Sequence, residues 1–203
     1  MSQPLSLNIA LVGVGGQGTL VAGKLLGTVA NLLGLDVKVS EVHGMSQRGG
    51  SVITYVRMAE TVASPIIEPA QADFILSFEE LEALRWAYLL KAGGALLVNN
   101  LQIPPATVST GVAKYPQDIV SELDQKALGQ SKVFSFDAQK LADEAGSYRA
   151  TNVVMLGAMS RLTAIEPEIF AKAIDLVFPE KLRAVNHKAF QSGSDIIKYK
   201  CEF

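Results

Sequence analysis

The chain has 203 residues, 49% of them apolar, with 18 basic and 20 acidic side chains for a net charge of −2. That length supports one globular domain, spanning 1–203, with a sizeable core, and the balanced charge supplies no general field for nucleic acid or an anionic membrane surface. A lone cysteine, Cys201, excludes an intramolecular disulfide and suits a reducing compartment, and no stretch approaches the ~20 apolar residues of a membrane span, so the expected location is cytoplasmic.

The chain opens on Asn8-Ile9-Ala10-Leu11-Val12, an apolar run that suits a strand buried on both faces. It enters a glycine-rich turn. From Gln17 to Leu33, Val21, Leu25, Val29 and Leu32 recur at helical spacing, and Gly34 stands where a left-handed residue ends a helix. Val37 to Val42 predicts a second strand, and the alternation of Val52, Thr54, Val56 and Met58 a third, with the polar loop His43 to Gly50 between them. Phe74-Ile75-Leu76 reads as another buried strand. Ser77 and Glu80 have the spacing of a capping box for a helix through Leu89, which Gly93-Gly94 is expected to end.

Ala95 to Val98 predicts the next strand, Pro104-Pro105 breaks the chain, and a weaker strand is expected near Val108 to Ala113. Pro116 is placed to open a short helix. Val133 to Phe136 predicts a further strand, after which Asp137 can cap a helix that Gly146 closes. Thr151 can cap an apolar helix from Asn152 to Leu162, and Pro167 and Pro179 stand at the first turns of two more. The alternation predicts an α/β fold: a doubly wound, Rossmann-like, mostly parallel sheet with helices on both faces and a C-terminal helical portion.

Two constellations carry chemistry. Gly13-Val14-Gly15-Gly16-Gln17-Gly18 is a G-x-G-x-x-G directly between a strand and a helix, where glycines admit a close ligand and free N–H groups favour an anion. The alternatives are glycines kept only for strand–helix packing, or a dinucleotide site with Glu41 as its ribose-binding acid. The second is Glu41-Val42-His43-Gly44-Met45-Ser46-Gln47-Arg48-Gly49-Gly50-Ser51. Its start follows a strand end, so it is expected to face the same crevice, with Arg48 either offering a planar cation to a carboxylate or phosphate or simply solvated in a hairpin loop. His43 has no assignable acid or cysteine partner. Glu79, Glu80 and Glu82 read as a solvated first helical turn, favoured there by the helix dipole.

Through the Gly13 to Gly18 turn, the Gln47-Arg48-Gly49-Gly50 loop and Asn152-Val153-Val154-Met155-Leu156-Gly157-Ala158, the whole chain resembles the gamma domain of pyruvate:ferredoxin and related 2-oxoacid oxidoreductases. Within that group, Glu41 through Val52, Glu82-Ala83-Leu84-Arg85 and Asn99 through Pro105 resemble the indolepyruvate branch. One departure stands out: the family usually has Gly-Asn-Pro-Arg where this chain reads Gly146-Ser147-Tyr148-Arg149, keeping the arginine but not the proline turn.

The resemblance implies oxidative decarboxylation of a 2-oxoacid to an acyl-CoA, with thiamin diphosphate and magnesium at the carbon chemistry, 4Fe-4S clusters carrying electrons to ferredoxin, and coenzyme A as co-substrate. It also implies a large alpha subunit that holds thiamin diphosphate and the clusters, paired with this chain as α2β2, in keeping with a single cysteine, too few for a four-cysteine cluster, and with the absence of the Gly-Asp-Gly that begins the family's thiamin diphosphate motif. No catalytic or metal-ligating residue is then expected here. The implied binding residues are Gly13, Gly15, Gly16, Gln17, Gly18, His43, Ser46, Gln47, Arg48, Gly49, Gly50 and Asn152.

Overall fold

The computed structural model describes residues 5–44, 49–127 and 131–201. Strand β1 (Leu7–Val14) is buried along almost its whole length, as an uninterrupted apolar run requires. It leads through the glycine turn into helix α1 (Thr19–Leu32), which Gly34 closes at φ 72°. Strands β2 (Asp36–His43) and β3 (Ser51–Ala59) form an antiparallel hairpin, and β3 pairs antiparallel with β1. The chain then crosses to the other side of β1, where β4 (Ala72–Ser77), β5 (Leu90–Asn99) and β6 (Lys132–Phe136) each pair in parallel. The sheet order is β2-β3-β1-β4-β5-β6, with β3 alone running against the rest.

Strand alternation divides the core into two layers. Ile9 and Leu11 of β1, with Val56, Leu76, Leu97 and Phe134, face one side and meet α1, the helix α6 (Thr151–Ser160) and other C-terminal helices. Ala10 and Val12, with Ile53, Ile75 and Val98, face the other, beneath α2 (Glu80–Trp86) and α4 (Ile119–Ala127). Helices therefore cover both faces, as expected.

The C-terminal portion is helical. Helix α5 (Ala138–Ala145) begins on Asp137, whose carboxylate accepts from Lys140 N at 2.8 Å, and ends at Gly146. Helices α7 (Pro167–Val177) and α8 (Glu180–Cys201) follow. Helix α6 and α8 touch backbone to backbone: a Cβ on Gly157 would stand 2.0 Å from Phe190 O, and one on Gly193 would stand 1.9 Å from Val154 O. Only glycine fits either position. Among the described residues no helix is long and apolar enough to cross a membrane.

Several local expectations are corrected. Gly93-Gly94 does not end a helix: α2 stops at Trp86, a 3₁₀ turn follows, and the glycine pair lies inside β5, where the register with β4 shifts. Gly93 has φ 78° and a Cβ on Gly94 would meet Asp73 O at 2.9 Å, so the pair marks a bulge. The strand expected near Val108 is the short helix α3 (Ala106–Ser109), begun on Pro105 and followed by Gly111 at φ 78°. Helix α4 starts at Ile119, beyond Pro116. The helix after β4 is capped by Glu79, which accepts from Glu82 N at 2.9 Å, while Ser77 donates to Glu79 O. Thr151 turns its hydroxyl back to donate to Tyr148 O at 2.6 Å and caps nothing.

Candidate functional site

Topology places the glycine turn at the point where the chain reverses its direction across the sheet: from β1 it winds out to β2 and back to β3 on one side, then crosses to β4 on the other. In open α/β sheets the crevice outside the carboxyl ends of the strands at such a point is the natural ligand site. Here β1 runs into the turn, β4 is followed by Phe78, and β5 ends in Asn99.

The turn is built by side chains as much as by glycines. Gln17 Oε1 accepts from Val14 N at 2.6 Å and its Nε2 donates to Phe78 O at 2.9 Å, fastening the turn to the end of β4. Asn99, fully buried, donates to the same Phe78 carbonyl at 3.1 Å and accepts from Ala138 N at 2.9 Å, joining β5 to the start of α5. Gly18 has φ 84° and opens α1; its carbonyl accepts from Asn152 Nδ2 at 3.2 Å, and a Cβ there would sit 2.9 Å from that nitrogen. The beginnings of α1 and α6 are thus held together. Across the other side, Gly15 N donates to Gly50 O at 2.9 Å, so the two glycine loops meet as expected.

Two cavities flank the turn, and Gly16 and Gly18 line both. The smaller, about 340 Å³, lies toward β2 and includes Glu41 and His43. Glu41 Oε2 accepts from the hydroxyls of Thr19 and Thr54, each at 3.2 Å, and His43 Nδ1 lies 3.0 Å from Gly44 O. The larger, about 580 Å³, lies toward β4 and β5 and reaches Gln139, Tyr148, Arg149, Asn152 and Phe178. Of the expected site residues the structure therefore gathers Gly15 to Gly18, His43 and Asn152 around one pair of clefts, with Gly50 bonded to the turn through Gly15 N, Gly13 beneath it against Phe78 and Gly49 in its loop at φ 75°. Ser46, Gln47 and Arg48 lie outside the described residues.

Sequence reasoning missed most of the larger cavity. Its residues follow separate strand ends and helix junctions, and only their shared position at the carboxyl edge could have linked them. The corner that lacks the family's proline is a 3₁₀ turn, Tyr148–Ala150, capped by Ser147, whose hydroxyl accepts from Arg149 N at 3.3 Å.

The acidic residues after β4 are also corrected. Glu79 and Glu82 are 1% and 4% exposed, not solvated. Glu79 accepts from Glu82 N, from Ile103 N at 3.0 Å and from the Tyr115 hydroxyl, pinning the segment after β5. Burial, with that carboxylate second, pushes the Tyr115 phenol above its ordinary range. Glu82 accepts from Ser51 Oγ and from Trp86 Nε1 at 3.1 Å and pairs with Arg85, holding α2 against the first residue of β3. Trp86 and Tyr88 stack with ring centroids 6.1 Å apart.

One cysteine does not fit a four-thiolate cluster, and among the described residues no group of His, Cys, Asp and Glu is placed to hold a metal.

A sequence model of the family described as pyruvate ferredoxin/flavodoxin oxidoreductase matches residues 8–196. The chain is 46% identical over 189 residues to the indolepyruvate oxidoreductase subunit IorB of Thermococcus kodakarensis, spanning 92% of this chain and 93% of that one. Similarity to the 2-oxoglutarate synthase subunit KorC of Methanothermobacter marburgensis is lower, 29% over 193 residues, 93% of this chain and 95% of that one. In three dimensions it matches the crystal structure of a keto/oxoacid ferredoxin oxidoreductase gamma subunit from Geobacter sulfurreducens, with TM-score 0.70, 26% identity and coverage of 95% and 99% of the two chains.

Proposed function

The chain belongs to the pyruvate ferredoxin/flavodoxin oxidoreductase family, and from that premise we propose that it is the small subunit of an indolepyruvate, or more broadly arylpyruvate, ferredoxin oxidoreductase. The observation that carries this reading is the near full-length 46% identity to an indolepyruvate oxidoreductase subunit, against 29% to a 2-oxoglutarate synthase subunit.

Its contribution is to bind and shape, within an assembly whose large partner holds thiamin diphosphate, magnesium and the 4Fe-4S clusters and delivers electrons to ferredoxin. The hard chemistry is that of those groups, and none is routed through this chain. Two features support the division: a single cysteine, and polar side chains at the glycine turn that are committed to holding the turn itself. The turn and the 44–50 loop form this subunit's wall of the active-site cleft. Arg48 offers its guanidinium to the oxoacid carboxylate or to a phosphate of coenzyme A. The assembly is α2β2, and it operates in the cytoplasm.

Reconstitution tests the proposal. The purified chain is expected to show no arylpyruvate oxidation alone and to restore it, coenzyme A-dependent, on mixing with the large subunit; turnover by the chain alone would sink the reading. In the assembled enzyme Arg48→Ala should raise KM for oxoacid or coenzyme A by about tenfold, the scale of a lost charge-assisted hydrogen bond. Unchanged KM for both ligands removes Arg48 from the site.

A further inference from the structure

Glu82 sits within α2, 4% exposed, with hydrogen-bond donors on both of its carboxylate oxygens. Its Oε2 accepts from Ser51 Oγ and from Trp86 Nε1 at 3.1 Å, and its Oε1 accepts from Arg85 Nε at 3.1 Å. Trp86 Nε1 also reaches Ser51 Oγ at 3.4 Å, so carboxylate, indole and hydroxyl close a small triangle. Arg85 and Trp86 belong to α2 itself. Of these partners only Ser51, the first residue of β3, comes from another element.

Ser51 stands at a junction. On one side of it, Gly50 O accepts from Gly15 N at 2.9 Å, the bond that ties this loop to the glycine turn. On the other, Val52 lies opposite Gly13 in the ladder and lines the smaller cavity, of about 340 Å³. Side chains alternate along a strand, so Ser51 shares the face of Ile53 and Tyr55 beneath α2, while Val52 points to the cavity. Glu82 lines neither cavity. It reaches the cleft from behind the sheet, through the backbone of β3.

Burying a carboxylate is costly, and apolar packing would fasten a helix to a strand at lower cost. What such packing lacks is direction, which hydrogen bonds supply by fixing where the first residue of β3 stands against α2. We propose that Glu82 is a positioning residue for the active-site cleft, holding Ser51 so that the Gly50 carbonyl meets Gly15 N and Val52 completes the cavity wall. The importance of this hold to the reaction rests on the function proposed above; the hold on the turn does not.

The test has two arms. In the first, amide hydrogen exchange is followed in the full-length chain alone. In Glu82→Ala and in Ser51→Ala the Gly15 amide should exchange about tenfold faster, the scale of a lost hydrogen bond to a charged group, with amides of α6 unchanged. Glu82→Gln keeps an oxygen for Ser51 and Trp86 and gives up the pair with the half-exposed Arg85, so its Gly15 exchange should stay within about twofold of the parent. Should Glu82→Ala not fold, Ser51→Ala carries the comparison, because it cuts the link while leaving Glu82 bonded to Trp86 and Arg85. Unchanged exchange at Gly15, a rise of equal size in α6, or a glutamine variant as damaged as the alanine one overturns the proposal.

In the second arm, the enzyme reconstituted with each variant is assayed for arylpyruvate oxidation. Glu82→Ala and Ser51→Ala should raise KM for the oxoacid or for coenzyme A about tenfold with kcat within about twofold, and Glu82→Gln should restore the parent KM. A merely structural role lowers the amount of active enzyme, so a fall in kcat with KM unmoved overturns the positioning role. Faster exchange at Gly15 in an active enzyme whose KM values do not move overturns it as well. A parent assembly that oxidises no arylpyruvate defeats the functional reading instead, and the exchange rates alone then decide whether Glu82 holds the turn.

Discussion

Gly18 carries two demands at once: a left-handed backbone at φ 84° and a missing Cβ where Asn152 Nδ2 would be 2.9 Å away. Gly18→Ala should lower the unfolding free energy by about 1–3 kcal/mol in urea titration, from the backbone conformation and the contact together. In an Asn152→Ala background part of that loss should vanish, because the contact is gone while the backbone demand stays; the coupling is read from the double-mutant cycle. Tyr115 makes a different case, because its partner is a buried carboxylate. Below the ordinary phenol value of 10.0 the hydroxyl is protonated in both folded and unfolded chains, so its bond to Glu79 is intact. As pH rises from there the unfolded phenol ionises first, and the stabilisation is lost progressively through the raised folded value. Denaturation across pH about 8 to 12 should show a steeper alkaline decline in the parent than in Tyr115→Phe, with Tyr55, also raised by burial, contributing the remainder.

Helix α6 is apolar nearly all round because it is enclosed, and its contact with α8 depends on two glycines far apart in sequence. Gly157→Ala should cost about 3 kcal/mol or more, since the new carbon lands on backbone and no side-chain rotation relieves it; thermal or chemical melts measure the loss. At this scale most of the fold was legible. Apolar runs marked β1 and β4, the 3.6-residue spacing marked α1, and Asp137 and Gly146 bounded α5, because each signal is local. Gly93-Gly94 failed as a helix stop because glycine serves a bulge as readily as a cap, and only pairing with β4 decides between them. The stretch after Pro105 failed as a strand because its β-branched residues sit between Pro105, which begins the short helix α3, and Gly111 at φ 78°, which follows it. Glu79 and Glu82 looked solvated for the same kind of reason: their partners Tyr115, Ile103 and Ser51 come from other elements, and no spacing along α2 announces them.

Across the whole molecule, the winding order brings β1, β4 and β5 to one edge and so sets both clefts around a single turn. The turn itself could be read from the glycine spacing and its strand–helix context. The larger cleft could not, since Gln139, Tyr148, Arg149 and Phe178 converge only after the helical portion packs back over the sheet edge. On the proposed assembly, mass measurement of the reconstituted complex should return two copies of this chain with two of the large subunit, and a one-to-one heterodimer would remove the α2β2 stoichiometry while leaving the subunit role intact.

The bond from Asn152 to the Gly18 carbonyl reaches further than its 3.2 Å. It makes the opening motif hostage to the far half of the polypeptide: a truncated fragment that kept every glycine of the turn but stopped short of α6 would carry the signature without the shape. The form of the turn is a property of the finished tertiary structure, and grafting the motif onto another scaffold would have to bring the distant asparagine along.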